Sequence, residues 1–228
     1  MNTKSHELNV VNSRILTRKI NIYESYKNLK FKTMSKKIIL SIALVVATTF
    51  SVNAHNHGEL TINNKVSSVE WIGKKVTGEH TGTIMIKEGK LALHDGQLEK
   101  GKVTIDMTSI LCTDLKGEWA DKLVGHLKNA DFFDVEKHNT AVLDILKVTP
   151  GKDGNSIISG NLTIKGITKP IEFSAKIEVK DGKLAAYAEV NVDRTLYDIK
   201  YGSGKFFEGL GDKMINDEFT IKFKIAAQ

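Results

Sequence analysis

Hydrophobic and polar residues alternate with a period of two through most of the chain beyond residue 68. The stretch "VEWIG" puts Val69, Trp71 and Gly73 on one face, and "TGTIMI" sets Ile84 and Ile86 against Thr83 and Met85. "KVTIDM" aligns Val103, Ile105 and Met107, and "IEFSAKIEV" aligns Ile171, Phe173, Ala175, Ile177 and Val179. The last such run, "EFTIKFKI", opposes Phe219, Ile221, Phe223 and Ile225 to Thr220, Lys222 and Lys224. A strand turns successive side chains to opposite faces, so the pattern predicts antiparallel strands with one wet face. Turn signals punctuate the runs: "KEGK" around Gly89, "HDGQ", "EKGK", "PGKDGN" and "VKDGK". About eight strands at this spacing, without alternating helices, predict an all-β sandwich or closed barrel.

One segment has a different period. "TDLKGEWADKLVGHLKNADFF" places Leu115, Trp119, Leu123 and Leu127 four apart, with Val124 beside them. That stripe predicts a single inserted helix near residues 115–128, docked on the sheet or over a barrel mouth. Thr113 or Asp114 is its expected N-cap, and Glu118 with Lys122 is a favourable pair one turn apart. Gly117 and Gly125 weaken it by about 1 kcal/mol each.

A third pattern starts at Met34: "MSKKIILSIALVVATTFSVNAHNH". Lys36 and Lys37 precede an apolar run over residues 38–50 that has no polar face, and Val52 and Ala54 are small. The run suits a secretory h-region and falls short of the roughly 17–25 residues that span a bilayer. The expectation is a signal peptide over residues 34–54, cleaved before His55, which delivers the protein to the periplasm and leaves no membrane span. Residues 1–33 show no period or glycine punctuation. Targeting signals start chains, so they are expected to be a miscalled extension ahead of a true initiator at Met34.

The leader changes the charge. The chain has 33 Lys+Arg and 27 Asp+Glu; residues 1–54 hold nine and two of them, which leaves 24 and 25. The net charge of +6 becomes −1 for residues 55–228, and the argument for a nucleic-acid partner goes with it. What remains is long enough for one domain with a real core. Its lone cysteine, Cys112, forbids an intramolecular disulfide.

Candidate chemistry is sparse. Ser109, Cys112 and Ser203 lie outside any nucleophile motif, and "YGSGKFFEGLGDK" lacks phosphate-loop spacing, so it reads as a flexible loop between the last strands. No catalytic residue and no cofactor is expected. The histidines form no tight cluster. Cleavage before His55 would expose His55-Asn56-His57, whose amine, backbone amides and imidazole suit Cu(II) or Ni(II); a periplasmic metal-handling protein is therefore the alternative function. Aromatic residues are spread over nearly every element, as core packing or as the lining of a ligand site.

Several ordered stretches resemble the YceI-like family of lipocalin-like, lipid-binding bacterial proteins. They are "SSVEWIGKKVTGEHTG" with Trp71 and His80, "VTIDMTSILCTDL" with Asp106, Ser109 and Ile110, and "LKNADFFDV" with Phe132, Phe133, Asp134 and Val135. "GNLTIKGITKPIEF" over residues 160–173 is the closest match, and "VNVDRTLYDIKYGSG" contributes Arg194 and Tyr197. Together they cover roughly residues 58–225. The chain departs from the family at His138-Asn139, where Tyr-Pro is common, and at Asp198, where glycine is common.

The resemblance implies an extended antiparallel barrel with one inserted helix, whose interior takes an isoprenoid or fatty chain without catalysis. A tail burying about 20 carbons would gain roughly 16 kcal/mol gross. The expected ligand-binding residues are Trp71, His80, Met85, Phe132, Phe133, Phe173, Tyr187, Arg194 and Tyr197, with His80 and Arg194 oriented toward a headgroup. The family also allows a homodimer, for which no residue pattern speaks.

Overall fold

The computed structural model describes residues 57–228. The leader, the cleavage point and residues 1–33 lie outside that range, as do His55 and Asn56.

Among the described residues nine strands and one α-helix follow one another: β1 (His57–Thr61), β2 (Ser68–Lys75), β3 (Gly78–His94), β4 (Gln97–Cys112), α1 (Glu118–Lys128), β5 (Thr140–Pro150), β6 (Ser156–Ile164), β7 (Ile167–Lys180), β8 (Lys183–Asp193) and β9 (Ile215–Ala227). Every pairing between them is antiparallel. Strands β2 to β9 close into a ring of eight, since β9 pairs with β2 and β3 with both β2 and β4. The barrel reading is the one the structure adopts; a sandwich is excluded by that closure.

β1 and β2 occupy one row of the wall. β1 pairs with the far end of β3, from Lys90 to His94, and β2 pairs with its near end, from Gly78 to Ile84. Between them residues 63–67 leave the row, and Ser67 patches the gap: Ala226 N–H donates to its Oγ at 3.0 Å, and Oγ donates to Asn63 O at 2.8 Å. No ladder group of β9 is wasted at the interruption.

Two expected turns are not turns. Gly89 lies inside β3 and Gly101 inside β4. A Cβ on Gly101 would come 2.6 Å from Leu91 Cδ2, and one on Gly89 would collide with Ile62. Both glycines permit close approach inside a long, bulged hairpin. The true turns carry left-handed pairs: Asp95-Gly96, Asp153-Gly154, Lys165-Gly166 and Asp181-Gly182 all have positive φ.

Asp198 ends a short 3₁₀ turn, Arg194–Tyr197, at φ 57° and ψ 29°. That left-handed geometry explains why glycine is common there and why aspartate is an acceptable substitute. His138 packs over Gly166, where a Cβ would lie 2.9 Å from its ring.

The segment between β8 and β9 folds back on one barrel end and is pinned by Arg194. This guanidinium is 2% exposed. Its Nε donates to Asn216 O at 2.9 Å, Nη1 to Ile199 O at 2.7 Å and Nη2 to Ile215 O at 3.0 Å. Asp217 lies 3.8 Å away, and the Phe132 ring sits 5.8 Å beneath the charge. Burial lowers the Arg194 pKa against the pull of Asp217 and Asp193, and the group stays charged at neutral pH regardless.

Replacing Arg194 with Met would leave three carbonyls without their donors and strip Asp217 of one of its two cations, Lys205 remaining at 3.2 Å. A loss of about 3 kcal/mol or more is expected in urea unfolding at neutral pH; a loss below about 1 kcal/mol would show that the knot is dispensable.

Candidate functional site

The inward positions of the alternating strands do not fill the barrel. A cavity of about 230 Å³ runs along it, reached at one end by Leu127, Phe132, Phe133 and Ile215, and toward the other by Leu91, Leu98, Leu184 and Ile225. Its lining is apolar except for Lys74, Arg194, Asn216 and Glu218. Those four sit together at the β2–β9 seam.

The seam has a cause in the register. Gly73 pairs with Phe219, but Lys75 pairs with Ile215, so two steps along β2 meet four along β9. The extra β9 residues bulge and the ladder opens. Lys74, Asn216 and Glu218 are the only exposed residues that line the cavity among those described. The described lining residues that reach solvent are therefore gathered at this bulge.

The end nearest the bulge is covered by aromatic side chains. His126 of α1 contacts Tyr201 and Phe132 with ring centroids 4.5 and 5.5 Å apart, Phe132 contacts Phe133 at 5.1 Å, and Phe133 contacts Phe219 at 6.2 Å. All four are edge-on arrangements, the favoured geometry for such pairs. Farther along, Phe173 and Phe223 meet at 5.8 Å.

Five of the nine expected site residues line this cavity: Trp71, Phe132, Phe133, Phe173 and Arg194. Trp71 lies flat against Gly82, where a Cβ would come 2.5 Å from the indole, and its Nε1 donates to Leu111 O at 3.1 Å.

The other four do not line it. Met85 and Tyr187 sit on the outer face, 63% and 44% exposed, because each is an outward position between inward neighbours, Ile84 and Ile86, and Ala186 and Ala188. Tyr197 is buried in the 3₁₀ turn, away from the lining. His80 pairs with Gly73 at the strand end beyond the lining, its Nδ1 2.8 Å from Asp114 Oδ2. Arg194 reaches the cavity, but three backbone carbonyls already take up its nitrogens. Three of the five guanidinium N–H groups are thus engaged by backbone.

Asp114 also corrects the helix. Its Oδ1 accepts from Thr81 N–H at 2.8 Å and from Cys112 Sγ at 3.2 Å, so it tacks the segment onto β3 instead of capping α1. The helix starts at Glu118 with Gly117 as a cap that offers no side chain. Only its second half docks: Leu127 is buried, Leu123 packs on the core, and Lys128 Nζ donates to Thr108 O at 2.7 Å. Trp119, expected in the docked stripe, is 72% exposed under Lys122. Among the described residues no group of three or more His, Cys, Asp or Glu is arranged to hold a metal ion.

What sequence reading missed is the bulge. Lys74, Asn216 and Glu218 carry no motif, and their role comes only from a register shift. The inward aliphatic residues, in contrast, were legible from their alternation.

A family model described as YceI-like domain matches residues 60–227. A UPF0312 protein of Ectopseudomonas mendocina is 32% identical over 102 residues, 45% of this chain and 51% of that protein. The match thus spans about half the length of that relative. A UPF0312 protein of Vibrio vulnificus is 30% identical over 151 residues, 63% of this chain and 74% of its own. Among solved structures, BcnA of Burkholderia cenocepacia superposes with a TM-score of 0.56 at 18% identity, over 73% of this chain and 99% of that one. A polyisoprenoid binding domain from Saccharophagus degradans, implicated in plant cell wall breakdown, gives 0.55 at 12% identity, over 74% and 97%. At such identities the superpositions establish a common fold.

The Asp114 cluster yields a pH dependence. Partial burial pushes its carboxyl up, but the hydrogen bonds from His80, Thr81 N–H and Cys112 outweigh that and hold it down at about 2. Its folded pKa lies below the unfolded value near 4, so its contribution is complete above about pH 4 and is lost as pH falls toward 2. Asp114→Asn should flatten the stability curve across that window in acid titrations of urea midpoints, and an unchanged slope would refute the assignment.

Proposed function

This chain belongs to the YceI-like family, and from that premise we propose that it is an exported carrier which holds a long apolar molecule, of isoprenoid or fatty type, inside its barrel. One observation supports the reading most: a cavity walled by aliphatic and aromatic side chains, with polar residues gathered only at the bulge. Such a space offers burial without orientation-specific hydrogen bonds, which suits a hydrocarbon tail whose polar end stays at the mouth. Binding is the whole of the proposed activity.

The volume sharpens the ligand. An engineered cavity of about 150 Å³ takes benzene, so a cavity of about 230 Å³ takes a segment of roughly nine or ten carbons without displacing its wall. At about 0.8 kcal/mol per CH₂, ten carbons gain about 8 kcal/mol gross, half of the twenty-carbon expectation. Association costs at least about 4 kcal/mol. Tight binding therefore calls for more chain than the cavity encloses, resting on apolar surface near the mouth or spreading the wall.

Residues 34–54 are proposed to direct export to the periplasm, with a mature chain that starts at His55. N-terminal sequencing of the protein from the cell envelope should read His-Asn-His.

Organic extraction of purified protein followed by mass spectrometry should release an apolar molecule. Ala186 lines the cavity, and Ala186→Phe should weaken binding of a fluorescent fatty acid at least about tenfold while leaving the fold intact. Extraction that yields nothing, together with unchanged probe affinity in the variant, would overturn the carrier reading.

A further inference from the structure

The loop that joins β8 to β9 spends ordered structure on exposing large apolar side chains. Phe206 and Phe207 are 48% and 50% exposed, although their backbone is fixed. Both N–H groups donate to Ser203 O, at 3.1 and 3.0 Å, and Ser203 itself is fully buried. Lys205, between the buried serine and the two rings, reaches inward to Asp193 and Asp217 at 3.1 and 3.2 Å. That clamp fixes the turn while the rings face water.

These rings belong to a larger patch. Met214 Sδ lies 2.8 Å from where a Cβ on Gly204 would sit. Val76 N–H donates to Met214 O at 3.2 Å, and both side chains are exposed, as is Tyr201. Val76 is two residues from Lys74, and Met214 two residues from Asn216. The apolar patch therefore adjoins the cavity mouth along both strands that form it.

We propose that this surface docks on an electrically neutral lipid bilayer and sets the cavity mouth against the hydrocarbon. Contiguous exposed apolar surface marks an interaction site, and aromatic rings are the side chains that settle at the membrane interface. The charge pattern selects a neutral surface over an anionic one. Most lysines around the patch are paired: Lys200 with Asp198 at 2.7 Å, Lys205 with its two aspartates, and Lys74 with Glu79 at 3.7 Å; the two that are not, Lys75 and Lys213, are balanced in number by Glu208 and Asp212 on the same loop. The proposal deepens the carrier reading and rests on it. A chain leaving the mouth into water loses its burial carbon by carbon, whereas one leaving into lipid does not, so a mouth bordered by membrane-seeking side chains is where exchange is fast. Chain too long for the cavity crosses the same apolar ground.

The test uses residues 55–228, a unit that contains the closed ring of strands and the whole described core. This unit is floated with phosphatidylcholine vesicles, and bound apolar ligand is extracted from a parallel sample. The wild-type unit should float to the same extent at about 0.05 and 0.5 M salt, since neutral lipid offers no charge to screen. The double variant Phe206→Ser, Phe207→Ser should lose vesicle affinity at least about tenfold while keeping its circular dichroism, thermal midpoint and extractable ligand. A second variant, Met214→Ser, should show a smaller loss in the same direction.

Equal flotation of the double variant would overturn the proposal, as would binding seen only with anionic lipid and abolished by salt. A dimer of the wild type that becomes a monomer in the double variant would overturn it too, by assigning the patch to a second copy. Failure to float with ligand still extracted sinks docking alone; flotation without any extractable apolar molecule sinks the carrier reading alone.

Discussion

A wall one sheet thick encloses apolar space only if its N–H and C=O groups are paired within the wall. The other structural features follow from that constraint. An open sheet would present an edge, and an edge beside a hydrocarbon-lined interior would leave backbone groups facing a space with no partners for them. The ring of β2 to β9 removes the edge. The repair at Ser67 keeps the split first row continuous with β9. Where the ladder does fail, between Gly73 and Lys75 opposite residues 215–219, polar side chains collect and the cavity meets solvent. Opening and wall are two outcomes of one accounting of hydrogen bonds.

The covered end obeys the same logic with a charge. A long connection joins β8 to β9, and one of its carbonyls, Ile199 O, together with the first two of β9, Ile215 O and Asn216 O, would lack donors there. Arg194 supplies three in one rigid group, and its planar face rests on Phe132. The residue expected to orient a headgroup is also a fastener of this end of the barrel. It holds Ile215 and Asn216 at the start of β9, next to the bulge. The same connection carries Phe206 and Phe207, so fastening, opening and exposed patch lie on one stretch of chain.

Binding by such a barrel is governed by area and length, not by polar recognition. An apolar lining rewards each carbon similarly and distinguishes ligands chiefly by how much chain fits. On the proposed carrier reading such a barrel would be permissive toward the tail, with discrimination left to Lys74, Asn216 and Glu218 at the bulge.

Much of this was legible in the amino-acid order. Period-two alternation located the inward residues of most strands, from Val69 and Trp71 to Phe223 and Ile225, because facing in or out is decided residue by residue. The same alternation already placed Met85 outside, and counting it with the ligand residues set composition above period. Asp-Gly pairs marked real turns, whereas Gly89 and Gly101 did not, since a glycine required by a crowded neighbour reads the same as one required by a turn. Trp119 looked like part of a buried stripe, yet the helix docks by its far half alone. Alternation, turn chemistry and family membership were thus set by the sequence itself, for their causes are local. The closure of the ring, the register shift that opens the mouth and the burial of Arg194 were decided only in the tertiary structure. Each depends on which distant strand lies alongside, and that pairing is a property of the closed barrel as a whole.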